Sequence, residues 1–334
     1  MERLQLLQNW IKVQFPGEPF TLTAASSDAS FRRYFRASSS NRTLIVMDAP
    51  PQQEDCAPFL QVARLFATTG VHVPTILAQN VVQGFLLLSD LGSTTYLQAL
   101  TANANDADGL YHGAMDALIK IQLASRAEIL PDYGGALLLG ELNLFTDWYI
   151  GKHLQITLSA DQKARIDAVF TEIVKNNLSQ PKVFVHRDFH SRNLMVTKPN
   201  PGIIDFQDAV YGPITYDLVS LFKDAYIQWD ETRVLDWMIR YWEKAKKAGL
   251  PVNPDFPEFY CDFEWMGVQR HLKVLGIFAR LCYRDGKDTY LNDMPLVMDY
   301  LRKACKRYRP FHPMIVLLDE LEGTNPAEKI GYGF

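Results

Sequence analysis

The hydrophobic pattern of the chain changes once along its length, from short apolar runs to long helical stripes. The first part predicts a helix over residues 1–15 and a second helix over 54–69. Strands in this part are predicted at 31–36, 43–47, 81–82 and 85–88. After Leu91 apolar residues recur three and four positions apart. This pattern predicts helices at 110–125, at 145–154, after Ser159, and from Asp217 to about 321. An α+β chain is therefore expected.

One strand-rich segment interrupts the predicted helices. Residues 183–185 form a short apolar run that predicts a buried strand, and two further short strands are predicted at 194–197 and 203–206. The intervening residues, Lys-Pro-Asn-Pro-Gly, have strong turn chemistry. A hairpin of this kind would bring Asn193, just before its first strand, close to Asp205 in its second.

The loop before this hairpin carries the residue types that phosphoryl transfer requires. It reads His186-Arg187-Asp188-Phe189-His190-Ser191-Arg192-Asn193, and Asp205 follows Asn193 by twelve residues. The reaction needs a carboxylate to orient and deprotonate a hydroxyl, and oxygen ligands to hold Mg²⁺ against the phosphates. Asp188 fits the first role, whereas Asn193 and Asp205 fit the second. A zinc pair at His186 and His190 is disfavoured, because that spacing needs a helix and no Cys lies nearby.

Length, charge and cysteine usage exclude several classes of protein. Because 334 residues is long for one core, two lobes are expected, at 1–90 and 91–334. A net charge of −4 offers no basic footprint for nucleic acid or an anionic membrane. The four cysteines lack CxxC spacing, which is typical of a reducing compartment, and the charged N-terminus resembles neither a signal peptide nor a membrane span. A cytoplasmic monomer is predicted.

The chain resembles the aminoglycoside phosphotransferase and choline kinase family, which has a bilobal protein-kinase-like fold. The segments VFVHRDFHSRNLMV and PGIIDFQDAVYGPITYDLVSLFKD carry this resemblance. SSDASFRRYFR, VMDAPPQQEDCAPFLQVARLF, GVHVPTILAQN and GFLLLSDLG are most similar to the bacterial members that act on amino sugars in cell-wall recycling. The resemblance implies a kinase that uses ATP and Mg²⁺ on the anomeric hydroxyl of N-acetylmuramate or N-acetylglucosamine, giving the sugar 1-phosphate.

The resemblance also implies roles for individual residues. Asp188 is expected to be the catalytic base, Asn193 and Asp205 the Mg²⁺ ligands, and His186 a structural residue of the loop. Residues expected at the nucleotide are Ser27, Ser30, Arg33, Glu54, Ser89, Asp90 and Leu91. Glu54 or Asp55 would be the acid carried by the first long helix of the small lobe. The alternative for both is an acid that only favours the dipole of that helix.

Two departures from the family pattern concern phosphate binding. The loop from Ser26 to Ser30 has no glycine, although glycine is what lets a backbone approach phosphate oxygens closely. The strand at 43–47 has no lysine where the family places a phosphate-binding one. Arg32 or Arg33 in the neighbouring strand would substitute, and strand alternation allows only one of them to face the ligand. Arg33 is preferred, and a solvent-facing arginine is the alternative for either.

The acceptor is expected to bind to the helical part of the chain, where aromatic and cationic side chains are concentrated. The predicted contacts are His190, Trp148, Arg270, Lys273 and Arg280. A cation there would suit the carboxylate of N-acetylmuramate. The alternative is that these cations are merely exposed helix residues.

Functions other than a sugar kinase could use parts of the same motif. The short stretch between Phe206 and Asp217 leaves no room for the activation segment of a protein kinase, and Asp217 is expected to cap the next helix. A kinase for an aminoglycoside, choline or an amino alcohol stays open, since it would use the same machinery. A nucleotide-binding pseudokinase scaffold also stays open, because the expected lysine and glycines are missing.

Overall fold

The order of helices and strands agrees with the change of pattern in the sequence. The computed structural model of the chain describes residues 2–27 and 31–323. Within these residues the strands are β1 (Thr21–Ser27), β2 (Arg33–Ser38), β3 (Thr43–Asp48), β4 (Ile76–Asn80), β5 (Phe85–Ser89), β6 (Lys182–Val185), β7 (Leu194–Met195), β8 (Gly202–Ile203) and β9 (Val210–Pro213). The α-helices are α1 (Glu2–Gln14), α2 (Ala57–Thr68), α3 (Tyr96–Ala102), α4 (Ala107–Leu123), α5 (Gly135–Leu144), α6 (Ala160–Ser179), α7 (Tyr216–Phe222), α8 (Glu231–Lys247), α9 (Phe256–Asp285), α10 (Met294–Arg307) and α11 (His312–Leu321). A π-helix, Phe145–His153, continues α5.

Spatial contacts divide the chain into two units. The first contains the described part of Met1–Ile121 together with Arg192–Ala209. The second contains Gln122–Ser191 and the described part of Val210–Phe334. The predicted lobe boundary between residues 90 and 91 stays a prediction, because a unit defined by packing need not coincide with a functional lobe.

The first unit is built on a five-stranded antiparallel sheet with the order β1-β2-β3-β5-β4. Leu7 and Ile11 of α1, and Phe15 just after it, are buried against one face of this sheet, in a core that includes Ala37 and Val46. Burying each of these three side chains contributes on the order of 2 kcal/mol. Helix α1 therefore covers one face of the sheet.

The second unit is organised around the thirty-residue helix α9. It is buried on most sides, and its core cluster includes residues of α5, α6, α10 and α11. A Cβ added at Gly276 of α9 would lie 2.3 Å from the carbonyl carbon of Leu144, so glycine is what permits this close approach. The approach occurs where α5 passes into the π-helix. Among the helices that the structure describes, none is both long and apolar enough to cross a bilayer.

Several elements escape the sequence pattern, among them α3, β9, β1 and α5. Strand β1 reads Thr-Leu-Thr-Ala-Ala-Ser-Ser, and one leucine among small polar residues gives no hydrophobic alternation. Helix α5 is likewise not predicted, since Gly134 and Gly135 at its start read as a loop. Both β1 and α5 form because their neighbours in the fold supply pairing and packing that a local pattern does not contain.

Several predicted boundaries are wrong. The strand predicted at 203–206 ends at Ile203, so Asp205 follows β8 rather than lying in it. Val81 and Val82 lie in the turn between β4 and β5, exposed to solvent, and the strand ends at Asn80. Helix α2 begins at Ala57 rather than at Glu54. Asp55 instead accepts a hydrogen bond from the Ala57 N–H at 2.8 Å, so the acids precede the helix.

Candidate functional site

The loop after β6 holds Asp188 through a strained backbone. Arg187 has a φ of +76°, a conformation that costs a residue with a Cβ about 1–3 kcal/mol. The His190 N–H donates to the Asp188 carbonyl at 3.0 Å, and the Asp188 N–H donates to Nδ1 of the buried His186 at 3.3 Å. His186 thus has the structural position that was expected. The Asp188 side chain remains 41 % exposed, as a group that receives a substrate proton must be.

Asp217 anchors this loop from helix α7. Its Oδ2 accepts the His186 N–H at 2.7 Å and its Oδ1 accepts the Arg187 N–H at 3.0 Å. The prediction that Asp217 caps a helix is wrong, because Thr215 is the N-cap residue and Asp217 lies inside α7. Desolvation raises the pKa of the fully buried Asp217 carboxyl to about 7, although the two backbone hydrogen bonds favour its ionised form.

Arg270 of α9 contacts the same loop from the other side. Its Nη1 donates to the Arg187 carbonyl at 2.9 Å and to the Tyr216 hydroxyl at 3.0 Å. Its Nη2 lies 3.8 Å from Oδ1 of Asp188. Desolvation opposes ionisation of Asp188, but the positive charges of Arg270, and then of Lys273, outweigh it and lower the pKa of that carboxyl. Asp188 is therefore ionised, as a general base must be.

Arg270 and Lys273 are buried, so the alternative reading of them as exposed helix residues is wrong. Lys273 Nζ lies 2.8 Å from Oε1 of Glu141 and donates to the Tyr216 hydroxyl at 2.7 Å. Arg187 Nη2 donates to the same Glu141 oxygen at 2.5 Å. Desolvation opposes ionisation of Glu141, yet Lys273 and Arg187 hold its pKa low. Sequence reasoning missed Glu141, since an acid in an unpredicted helix carries no local signal.

Asn193 and Asp205 lie side by side in the first unit, as the turn chemistry between β7 and β8 predicted. The Asn193 Nδ2 donates to Asp205 Oδ2 at 3.2 Å, and the Ile204 N–H donates to the Asn193 carbonyl at 3.1 Å. Asp205 has a φ of +63°. The next residue, Phe206, is fully buried against Phe59 of α2, with ring centroids 5.0 Å apart. This packing fixes the position of the Asp205 carboxylate.

The two residues fit a magnesium ion chemically. An amide oxygen and a carboxylate are hard donors, and Mg²⁺ in nucleotide sites takes only one or two protein carboxylates beside phosphates and water. Over residues 2–27 and 31–323 no group of three or more His, Cys, Asp or Glu side chains could hold a metal ion. A larger protein cage, of the kind that binds zinc or calcium, is therefore not found in that part of the chain.

The residues predicted at the nucleotide lie on different parts of the first unit. Asp90 accepts hydrogen bonds from Arg36 Nε at 2.7 Å and from the Gly92 N–H at 2.9 Å. Desolvation raises the pKa of Asp90, but the hydrogen bonds from Arg36, the Gly92 N–H and Thr43, with the Arg36 charge, together outweigh it, so the pKa is lowered. Ser89 Oγ accepts the Thr75 N–H at 2.8 Å, and Leu91 is buried. The segment from Ser89 to Leu91 is therefore well fixed.

The remaining nucleotide predictions concern the start of the sheet. Arg33 donates to Oδ2 of the buried Asp48 from Nε at 3.0 Å and also from Nη2. Glu54 lies before α2 and accepts the Phe31 N–H at 3.1 Å. The backbone of Ser27 pairs with that of Arg33 at the end of β1, whereas Ser30 lies outside the described residues. All of these contacts are within the protein, so the nucleotide-binding roles of these residues stay predictions.

The predicted acceptor residues are only partly brought together. Arg270 and Lys273 share the Tyr216 hydroxyl, and the His190 ring packs edge-on with Tyr226 at a centroid distance of 5.5 Å. Trp148 lies on the π-helix, half-buried against the helical core. Arg280 lies ten residues beyond Arg270, about 15 Å further along α9. Arg280 is thus separated from the group around Asp188.

Tyr226 is fixed to the loop of Asp188 by a second buried acid, Asp224, that sequence reasoning missed. Asp224 Oδ2 accepts the Ser191 N–H at 2.9 Å, and its Oδ1 accepts the Tyr226 N–H at 3.1 Å. The sequence gives no distinct signal for Asp224, since it lies within the predicted helical stretch from Asp217 to about 321, where an acid is commonly a surface residue.

Characterised relatives resemble the chain over its whole length. It is 50 % identical over 334 residues to the N-acetylmuramate/N-acetylglucosamine kinase of Pseudomonas aeruginosa, covering 97 % of each chain. It is 48 % identical over 331 residues to the protein of the same name from Neisseria meningitidis serogroup B, covering 98 % of each.

Solved structures resemble the fold at much lower identity. The GDP complex of aminoglycoside 2'-phosphotransferase-IIIa has a TM-score of 0.63 at 13 % identity, covering 92 % of this chain and 100 % of that one. The choline kinase LicA of Streptococcus pneumoniae has a TM-score of 0.61 at 12 % identity, covering 91 % and 100 %. Together with the sheet in the N-terminal region and the mostly helical remainder, this likeness confirms the predicted α+β protein-kinase-like fold.

The family itself is shown by its sequence profile. The profile of the phosphotransferase enzyme family matches residues 21–251, which include the sheet and the loop of Asp188. This match and the full-length relatives confirm the resemblance inferred from the motif, and with it the predicted class of enzyme. The chain belongs to the phosphotransferase enzyme family.

Proposed function

We propose that the chain is an ATP-dependent kinase that phosphorylates the anomeric hydroxyl of N-acetylmuramate and N-acetylglucosamine. The choice of these two sugars as acceptors is supported by one observation: the chain is 48–50 % identical, over nearly its full length, to kinases named for them. That the product is the sugar 1-phosphate is also proposed, and it is inferred from the resemblance of the sequence motifs to the family. The cytoplasmic location, the monomeric state, and the lack of nucleic-acid and membrane partners remain expectations from the sequence.

The chemistry assigned to Asp188 is that of a general base. Its carboxylate would accept the proton as the O–H bond of the anomeric hydroxyl breaks. The hydroxyl oxygen then bonds to the γ-phosphorus while the bond to the β–γ bridging oxygen breaks, and ADP leaves. Arg270 would keep Asp188 ionised and Asp217 would keep its loop in place. Mg²⁺, for which Asn193 and Asp205 are the proposed ligands, would neutralise charge on the phosphate oxygens.

The first experiment measures sugar phosphorylation with ATP and Mg²⁺. Asp188→Asn keeps the shape of the side chain but cannot accept the proton, so kcat should fall by about 10²–10⁴-fold while ATP affinity changes little. Asp205→Asn should in addition weaken Mg²⁺-dependent nucleotide binding. Normal turnover by Asp188→Asn would sink the assignment of the base.

A substrate panel separates the remaining alternatives. N-acetylmuramate, N-acetylglucosamine, an aminoglycoside and choline are each incubated with ATP and Mg²⁺, and the products are identified by NMR. Phosphorylation of only a cationic acceptor would replace the sugar proposal. Nucleotide binding without any phosphorylated product would favour a scaffold.

A further inference from the structure

The residue before Asp188 has a backbone conformation that its residue type disfavours. Arg187 has a φ of +76°, in the left-handed region that glycine adopts readily and that a Cβ makes unfavourable. Because peptide units are planar, the backbone angles of Arg187 set the direction in which Asp188 leaves the loop. A strained conformation of this kind persists only where the surrounding structure fixes it.

The main chain of Arg187 is held at both of its polar groups. Its N–H donates to Oδ1 of Asp217 at 3.0 Å. Its carbonyl accepts from Nη1 of Arg270 at 2.9 Å and from the Ser220 hydroxyl at 3.3 Å. These contacts involve only the backbone of residue 187, so a glycine could make them equally well. They therefore do not account for the presence of an arginine side chain at this position.

The Arg187 side chain adds a further attachment, to Glu141 of α5. Its Nη2 donates to Oε1 of Glu141 at 2.5 Å, and its guanidinium carbon lies 5.7 Å from the centre of the Tyr133 ring. Lys273 Nζ lies 2.8 Å from the same Glu141 oxygen, whereas the Tyr133 hydroxyl and Gln269 Nε2 donate to the other one. The Glu141 side chain is only 7 % exposed. With partners at both oxygens, this buried carboxylate is a fixed point for the arginine.

Arg187 contributes less than its neighbours to the ionisation of Asp188. Desolvation opposes that ionisation, and the positive charges that lower the pKa of Asp188 act in the order Arg270, Lys273, His190 and then Arg187. An electrostatic effect on the carboxylate is therefore the smaller part of what Arg187 can do. The larger part is mechanical, because its side chain ties the residue before Asp188 to another helix.

We propose that the ion pair between Glu141 and Arg187 holds residue 187 in its left-handed conformation and thereby aims the Asp188 carboxylate at the acceptor hydroxyl. Glu141 and Arg187 are then positioning residues, which act on the reaction through Asp188. This inference deepens the proposed function and rests on its assignment of Asp188 as the general base.

The test asks whether a glycine at position 187 restores what loss of the arginine side chain removes. The kcat and both KM values are measured on the full chain with MgATP and N-acetylglucosamine, after circular dichroism shows that each variant is folded. Arg187→Ala and Arg187→Gln lose the ion pair but keep the Cβ, so kcat should fall by about 10- to 100-fold while both KM values stay within about twofold. Arg187→Gly loses the same pair but adopts the left-handed conformation without strain, so its kcat should be at least about fivefold higher than theirs.

Two further substitutions complete the comparison. Glu141→Gln should lower kcat when it is introduced alone and should lower it much less when it is combined with Arg187→Gly. Lys182→Ala is the matched control, because it removes an ion pair with Asp132 at the start of β6, the strand that leads into the loop, and should leave kcat unchanged. Lys273 remains paired with Glu141 in the Arg187 variants, so the acid keeps a counter-ion and these variants are expected to fold.

The kinetic constants separate the possible roles of the pair. Recovery of kcat by Arg187→Gly, at unchanged KM values, would support the proposal. Equal losses in the Gly, Ala and Gln variants of Arg187 would overturn it, because the side chain would then act through its charge or packing instead of the backbone conformation. Normal turnover by Arg187→Ala would overturn it as well. Normal turnover by Asp188→Asn would contradict the proposed base itself, and that measurement does not depend on residue 187.

Discussion

Replacing Arg270 by glutamine tests whether this buried cation sets the ionisation of Asp188. The Nη2 to Oδ1 distance of 3.8 Å corresponds to about 4 kcal/mol at an effective dielectric constant of about 20. Because the Asp188 side chain is 41 % exposed, solvent screens much of this, and on the order of 1–2 kcal/mol should remain. That is about one pKa unit.

The sign of the expected change follows from the lowered pKa. Removing the Arg270 charge raises the pKa of Asp188, so the carboxylate becomes protonated at a higher pH. The other titratable groups that act on it, Lys273, His190, Arg187 and Asp217, are unchanged. The acid limb of kcat/KM for sugar phosphorylation should therefore move up by about one pH unit.

The assay is a pH series of initial rates with ATP in excess, on protein shown to be folded by circular dichroism. Arg284→Gln is the control, since this exposed residue of α9 pairs only locally with Asp285 and should not move the acid limb. An unmoved acid limb in Arg270→Gln, together with a raised sugar KM, would refute the electrostatic reasoning. Arg270 would then be the acceptor contact that the sequence suggested.

Two further changes test the scaffold of the site. Asp217→Asn keeps one side-chain acceptor for the N–H groups of His186 and Arg187, so one of the two loses its partner; the free energy of unfolding should fall by about 1–3 kcal/mol and kcat should fall with it. The raised pKa of Asp217 contributes stability below about pH 4 that is lost as pH rises through about 7, so denaturant titrations should show a flatter pH dependence in this variant. Gly276→Ala should destabilise by about 1–3 kcal/mol through its clash with Leu144, whereas Gly140→Ala, at an open position in α5, should not; equal midpoints would contradict the packing argument.

The sequence was sufficient for some of the helices and for placing Asn193 beside Asp205. Helix α6 was predictable because Ser159 and Gln162 form a capping box before a regular apolar stripe. Asn193 and Asp205 could be placed together because the turn between their strands is short and rich in proline. Local rules of this kind need no knowledge of distant residues.

The rest of the site depends on contacts that no local pattern contains. Lys273 and Glu141 are separated by 132 positions, and α9 reads as an amphipathic helix with exposed cations until its neighbours bury it. The left-handed backbone at Arg187 is equally invisible, since sequence rules expect glycine or asparagine there. Burial and strain are properties of the assembled fold.

The sharing of one Glu141 oxygen between Arg187 and Lys273 has a consequence for how such a protein can evolve. Losing Glu141 would leave the positive charges of Arg187 and Lys273 without their shared, largely buried counter-ion. Losing either cation would leave the Glu141 carboxylate with one counter-ion fewer. Single substitutions here are therefore costly. These three positions are expected to show epistasis. A change at residue 273 would have to be accompanied by a compensating change at 141 or 187, and a library that varies one site at a time would miss such pairs.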